Sequence, residues 1–159
     1  MTTVIYKDKT FYADSLITSG DTKLLYDNKL YFSVPLNSIC VVIGEASRGN
    51  RFIDNLEKIQ HRNLTVKDYD YLEDVSNVIV YNIDTNKLIN YSGCGFDNLD
   101  SNQTHIFGGG RDYAMVAMYF SNDPIDAIKV TAKFHAKTGG KIYCLTTNGN
   151  LTIVGNCYV

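Results

Sequence analysis

Thr2-Thr3-Val4-Ile5-Tyr6-Lys7-Asp8-Lys9-Thr10-Phe11-Tyr12-Ala13-Asp14 follows the initial Met1. Two runs rich in β-branched and aromatic residues flank the polar pair Asp8-Lys9. The pattern reads as a hairpin of strands Thr3–Lys7 and Thr10–Asp14. If the turn centres on Asp8, residues whose numbers sum to about 16 lie opposite each other, and Thr2 faces Asp14. This hairpin makes the fold begin with antiparallel strands rather than with an alternating strand–helix unit.

Outward from it, Gly20-Asp21 marks a second turn, and strands follow at Lys29–Val34 and Ile39–Ile43. The second of these is continuously apolar, as in a strand buried on both faces. The period then changes. From Ser47, an N-cap residue type, apolar side chains fall at Phe52, Ile53, Leu56 and Ile59, which is helical spacing. A second helix is predicted over Val66–Leu72. Strands return at Asn77–Ile83 and Lys87–Tyr91, joined through Asp84-Thr85-Asn86. A short strand, His105–Phe107, runs into Gly108-Gly109-Gly110. Arg111–Phe120 reads as a helix. Asp123-Pro124 starts another, with Pro at its first position, expected to reach Lys137 and stop at Gly139-Gly140. Strands Lys141–Leu145 and Leu151–Val154 flank an Asn148-Gly149 turn. The order strands, helices, strands, helices, strands predicts a layered α+β fold with mainly antiparallel sheets. No linker interrupts it, so residues 1–159 read as a single domain.

The 159 residues are 45% hydrophobic and 20% charged, with a formal net charge of −2. Such a chain can build a core, and its balance argues against a strongly basic nucleic-acid binder. No apolar run reaches the roughly 18 residues of a membrane helix. The opening residues lack the basic and apolar regions of a secretion signal, so a cytoplasmic location is expected. Cys40, Cys94, Cys144 and Cys157 lack metal-ligand spacing and do not cluster with His61, His105 or His135. They read as free thiols, and no metal or cofactor is expected. Gly108-Gly109-Gly110 before a helix suits anions, but Tyr113 stands where a dinucleotide fingerprint needs its third glycine.

Thr2 is the position with chemistry. Met1 precedes a small residue, so its removal is expected, leaving Thr2 with a free α-amine. A threonine hydroxyl holds its proton tightly; an amine on the same residue, with an unperturbed pKa of roughly 7.7–8.0, can take it. Nucleophile and base then reside in one residue. Such a site needs a cation to lower the hydroxyl pKa and a carboxylate to hold that cation. Asp14 is the candidate carboxylate. Lys29 is the candidate cation, brought to the same end by a turn near Gly20–Thr22.

The opening through Tyr12-Ala13-Asp14-Ser15 resembles that of proteasome β subunits and the bacterial proteasome-like peptidase HslV. Asn28-Lys29-Leu30 falls where that family carries its catalytic lysine. Val41-Val42-Ile43-Gly44-Glu45-Ala46-Ser47 is similar to its oxyanion strand and turn. Ile106-Phe107-Gly108-Gly109-Gly110-Arg111-Asp112-Tyr113-Ala114-Met115 is similar to its glycine-rich turn and helix start. Asp126-Ala127-Ile128 to Thr138-Gly139-Gly140 resembles its last long helix. The short length and richness in Tyr, Asn, Ile and Lys fit a divergent member, such as one carried by a phage.

The resemblance implies the four-layer αββα sandwich of N-terminal-nucleophile hydrolases. It also implies a threonine endopeptidase acting on polypeptides within a homo-oligomeric ring, with an ATPase unfoldase as partner. Thr2 would be nucleophile and base, Asp14 would anchor Lys29, and the Ser47 backbone N–H would hold the oxyanion. Substrate preference would rest on Ser19–Gly20 and Ser47–Asn50. Three positions depart from the pattern or modify it. Gly109 replaces a serine, His135 replaces an aspartate, and Thr138 stands for a serine but keeps a hydroxyl. Those changes leave an alternative, a catalytically degenerate ring subunit with a structural role.

Overall fold

The computed structural model describes residues 2–19, 22–59 and 64–157. Met1 and its removal, the Gly20-Asp21 turn and His61 lie outside the described residues. In chain order the elements are β1 (Thr3–Lys7), β2 (Thr10–Asp14), β3 (Leu16–Ser19), β4 (Thr22–Tyr26), β5 (Leu30–Ser33) and β6 (Ser38–Gly44). There follow α1 (Ala46–Ile59), α2 (Val66–Tyr69), β7 (Ser76–Asn82), β8 (Lys87–Ser92), β9 (Gly95–Leu99) and β10 (His105–Gly108). The chain ends with α3 (Arg111–Ser121), α4 (Pro124–Phe134), β11 (Gly140–Leu145) and β12 (Leu151–Cys157).

These elements form two compact units. One contains residues up to Leu30 and from Asn102 onward; the other is Tyr31–Ser101. The first unit holds a five-stranded sheet in the order β10-β1-β2-β11-β12, beside the two-stranded β3-β4. Its strands pair antiparallel. The hairpin at its centre is tighter than the sequence suggested. Asp8 and Lys9 both adopt positive φ, 50° and 60°. That is the two-residue turn whose twist matches paired strands. Lys7 therefore pairs with Thr10 and Val4 with Ala13, so facing numbers sum to 17, not 16. Thr2 is one place out of register with Asp14.

Helices α3 and α4 cover this sheet. Ala114, Ala117, Met118, Ala127, Ile128 and Ala132 pack with Ile5 and Ile142 in one buried cluster. Asp123 caps α4, accepting from the Ile125 N–H at 2.8 Å, with Pro124 at the first turn. The helix ends at Phe134, with extended backbone at His135, and not at Lys137. This early stop turns residues 135–139 toward the sheet, where the Gly139 carbonyl accepts from Ser15 and Leu16.

In the second unit a five-stranded sheet, β5-β6-β7-β8-β9, packs against α1 through Cys40, Phe52, Ile53, Leu56, Leu72, Val78 and Val80. Helix α1 starts at Ala46, so Ser47 lies inside the first turn, its hydroxyl donating to Glu45 Oε1 at 3.0 Å. The helix expected over Val66–Leu72 is one turn long. A capping box of Thr65 and Asp68 begins it, and Glu73 takes a positive φ of 47° shortly after. Strand β9 was not anticipated; its short polar sequence lacks alternation. Each unit is thus a sheet with helices packed on it, and the whole is a mixed α/β chain with antiparallel sheets.

Candidate active site

Strand β1 delivers Thr2 and Thr3, β2 ends on Asp14, and Lys29 stands immediately before β5, all in the first unit. Thr2 is 2% exposed and Asp14 fully buried. The register slip does not part them, because the Asp14 side chain spans the offset. Thr2 Oγ1 donates to Asp14 Oδ1 at 2.7 Å. The Lys29 ammonium donates to Thr2 Oγ1 at 2.7 Å and to Asp14 Oδ1 at 3.0 Å.

The carboxylate is held from every side. Oδ1 also accepts the Thr3 N–H at 2.9 Å. Oδ2 accepts N–H groups of Gly139 at 3.0 Å and Leu16 at 3.3 Å. A buried carboxylate needs such donors and a cation to remain charged. Burial holds the Lys29 ammonium below the ordinary lysine range, with Asp14 pulling the other way. A desolvated ammonium touching a hydroxyl oxygen is suited to stabilise that oxygen as it loses its proton.

Two glycines shape the neighbourhood. Gly108 has φ +96°, and a Cβ there would lie 1.9 Å from the Thr2 carbonyl oxygen. A Cβ at Gly110 would lie 2.1 Å from Thr3 Oγ1 and 3.0 Å from Thr138 Oγ1. The turn between β10 and α3 can close on the β1 end only without side chains there. Gly109, between them, is exposed and offers no hydroxyl. Thr138 is buried, and its Oγ1 lies 2.7 Å from Thr3 Oγ1 and 2.8 Å from His135 Nδ1. Ser47 lies in the second unit, exposed in the first turn of α1. First-turn N–H groups, that of Ser47 among them, have no acceptor within their own helix.

Sequence reasoning overlooked Thr3 and the N–H of Gly139. Thr3 looks like an ordinary strand residue, and Gly139 lies 125 positions from Asp14. The Gly-Gly pair after α4 was the visible signal, read only as a helix stop. Among the described residues no group of three or more His, Cys, Asp or Glu could hold a metal ion. Nor is any helix among them long and apolar enough to cross a membrane.

This architecture is a proteasome-like fold. The chain is similar in structure to Thiobacillus denitrificans BPH in complex with epoxomicin. The match covers 98% of each chain, with a TM-score of 0.64 and 14% sequence identity. No protein-family model matches the sequence, and no curated protein matches it.

Proposed function

We propose that this chain is a threonine endopeptidase of the proteasome kind, with Thr2 as nucleophile once Met1 is removed. The observation that carries the reading is the contact of the buried Lys29 ammonium with both Thr2 Oγ1 and the Asp14 carboxylate. The epoxomicin complex of the structural neighbour adds support for hydrolase chemistry in this fold.

In the proposed reaction the freed Thr2 amine takes the proton of Oγ1, and Oγ1 attacks a peptide carbonyl. The Lys29 ammonium, 2.7 Å away, stabilises the oxygen as charge develops. The amine then passes its proton to the leaving amine, and an ester at Thr2 remains until water cleaves it. General-base help of this kind is worth roughly 10²–10⁴ in rate. The four-layer sandwich, one domain acting as a unit, a homo-oligomeric ring and an unfoldase that feeds it belong to this proposal.

Gly109, which has no hydroxyl to offer, favours the second reading, a ring subunit without chemistry. A fluorogenic peptide assay separates the two. The wild type should hydrolyse the peptide, and Thr2→Ala should not, while keeping its thermal midpoint. A folded Thr2→Ala variant that cleaves at the wild-type rate would rule out the mechanism.

A further inference from the structure

His135 stands at the far end of a buried chain of hydroxyls that begins beside the nucleophile. We propose that His135 is a positioning residue for Thr2, acting through Thr138 and Thr3, with the direction of that relay set by protonation of its Nδ1. The inference rests on the peptidase reading above and names how its site is regulated.

Thr3 and Thr138 are 0% and 2% exposed, so water does not substitute for either contact. The backbone at Gly110 closes over both oxygens, leaving no room even for a methyl group. Each hydroxyl has one proton to give. With Nδ1 bare, Thr138 donates to His135 and must accept from Thr3. With Nδ1 protonated, the imidazolium donates to Thr138, and either the Thr138 or the Thr3 proton is left without an acceptor in this chain of contacts. A buried donor without a partner is unfavourable, so the β1 end must shift. Thr3 is peptide-bonded to Thr2, and its N–H donates to the same Asp14 oxygen as Thr2 Oγ1.

Charge acts along the same line. The groups that face the imidazole are Asp14 from β2, Tyr113 from α3 with its ring centroid 6.3 Å away, and Lys137 on its own loop. Burial lowers the His135 pKa below the ordinary histidine value, Asp14 opposes this, and Lys137 adds to it. These influences favour the neutral ring, and in its Nε2–H tautomer the relay runs from Thr3 to His135. Coupling between His135 and Asp14 is reciprocal, so a proton on the ring also acts on the carboxylate that holds Thr2 and Lys29.

The test is the pH profile of kcat/KM on a fluorogenic peptide. Protonation of the Thr2 amine alone gives a log-rate slope of one in acid; a second essential proton at His135 raises it to two. The wild type should reach two below the ordinary histidine range. His135→Ala should lower kcat by about tenfold to a hundredfold with KM little changed. His135→Asn, whose Oδ1 can accept from Thr138 but cannot titrate, should restore most of kcat and keep a slope of one. Unchanged kcat in His135→Ala, or a slope of two in His135→Asn, would overturn the proposal while leaving the peptidase reading intact. If no peptide is cleaved, that reading fails, and with it the positioning role; NMR then decides the relay alone. A Thr3 methyl signal that follows His135 titration, and ceases to in Thr138→Val, supports the relay; a Thr3 signal indifferent to His135 overturns it.

Discussion

Asp14 accepts from Thr2, Thr3, Leu16, Lys29 and Gly139, so one residue ties four separate segments of chain together. Asp14→Ala strands a buried ammonium and several N–H groups, and should destabilise the fold by about 3–5 kcal/mol. Urea unfolding measures this; a loss under about 1 kcal/mol would mean that water replaces the carboxylate freely. Lys29 gives a pH signature. Its folded pKa lies below the ordinary value of roughly 10.4, so between the two the unfolded chain holds the additional proton. Stability contributed by Lys29 must then rise with pH through that window. Urea curves stepped through alkaline pH should show the wild type gaining on Lys29→Met, and a constant difference would contradict the burial argument.

Local elements follow from local chemistry, and most are legible in the sequence. Strands β1 and β2 end where their β-branched and aromatic runs end, and Asp123-Pro124 announces α4 one residue before it begins. The register of the first hairpin was not legible, because Asp8-Lys9 lacks the glycine that usually marks a two-residue turn. Lys9 sits at φ 60°, where glycine is at ease and lysine is not. Lys9→Gly should therefore raise stability by about 0.5–1 kcal/mol, and a decrease would mean that the Lys9 side chain holds the turn. Asp123→Ala should cost about 1 kcal/mol through the lost cap, read by the same denaturant titration. The site was legible as far as Thr2, Asp14 and Lys29, which hairpin arithmetic and chain return bring to one end. Thr3, Gly139 and the Thr138–His135 contact were not, since they depend on α4 ending three residues early and on packing across the whole length of the chain.

Over the whole molecule, the cysteines report how completely the two units bury their interiors. Cys40, Cys144 and Cys157 are buried, and burial pushes the Cys40 thiol up to about 12 and the Cys157 thiol to about 11. Cys94, between β8 and β9, is exposed. A thiol reagent at pH 8 should label one cysteine in the native chain and all four after unfolding; rapid native labelling of two or more would show that the packing is looser than described. The sequence reads all four as free thiols, and the turn that carries Cys94 faces outward. The central claim, that Thr2 is an activated N-terminal nucleophile, is tested most directly by intact-mass spectrometry of the purified protein with and without the epoxyketone epoxomicin. The expected result is loss of Met1 and one adduct per chain, absent from Thr2→Ala. Met1 removed with no adduct, or an adduct that persists in Thr2→Ala, would contradict it.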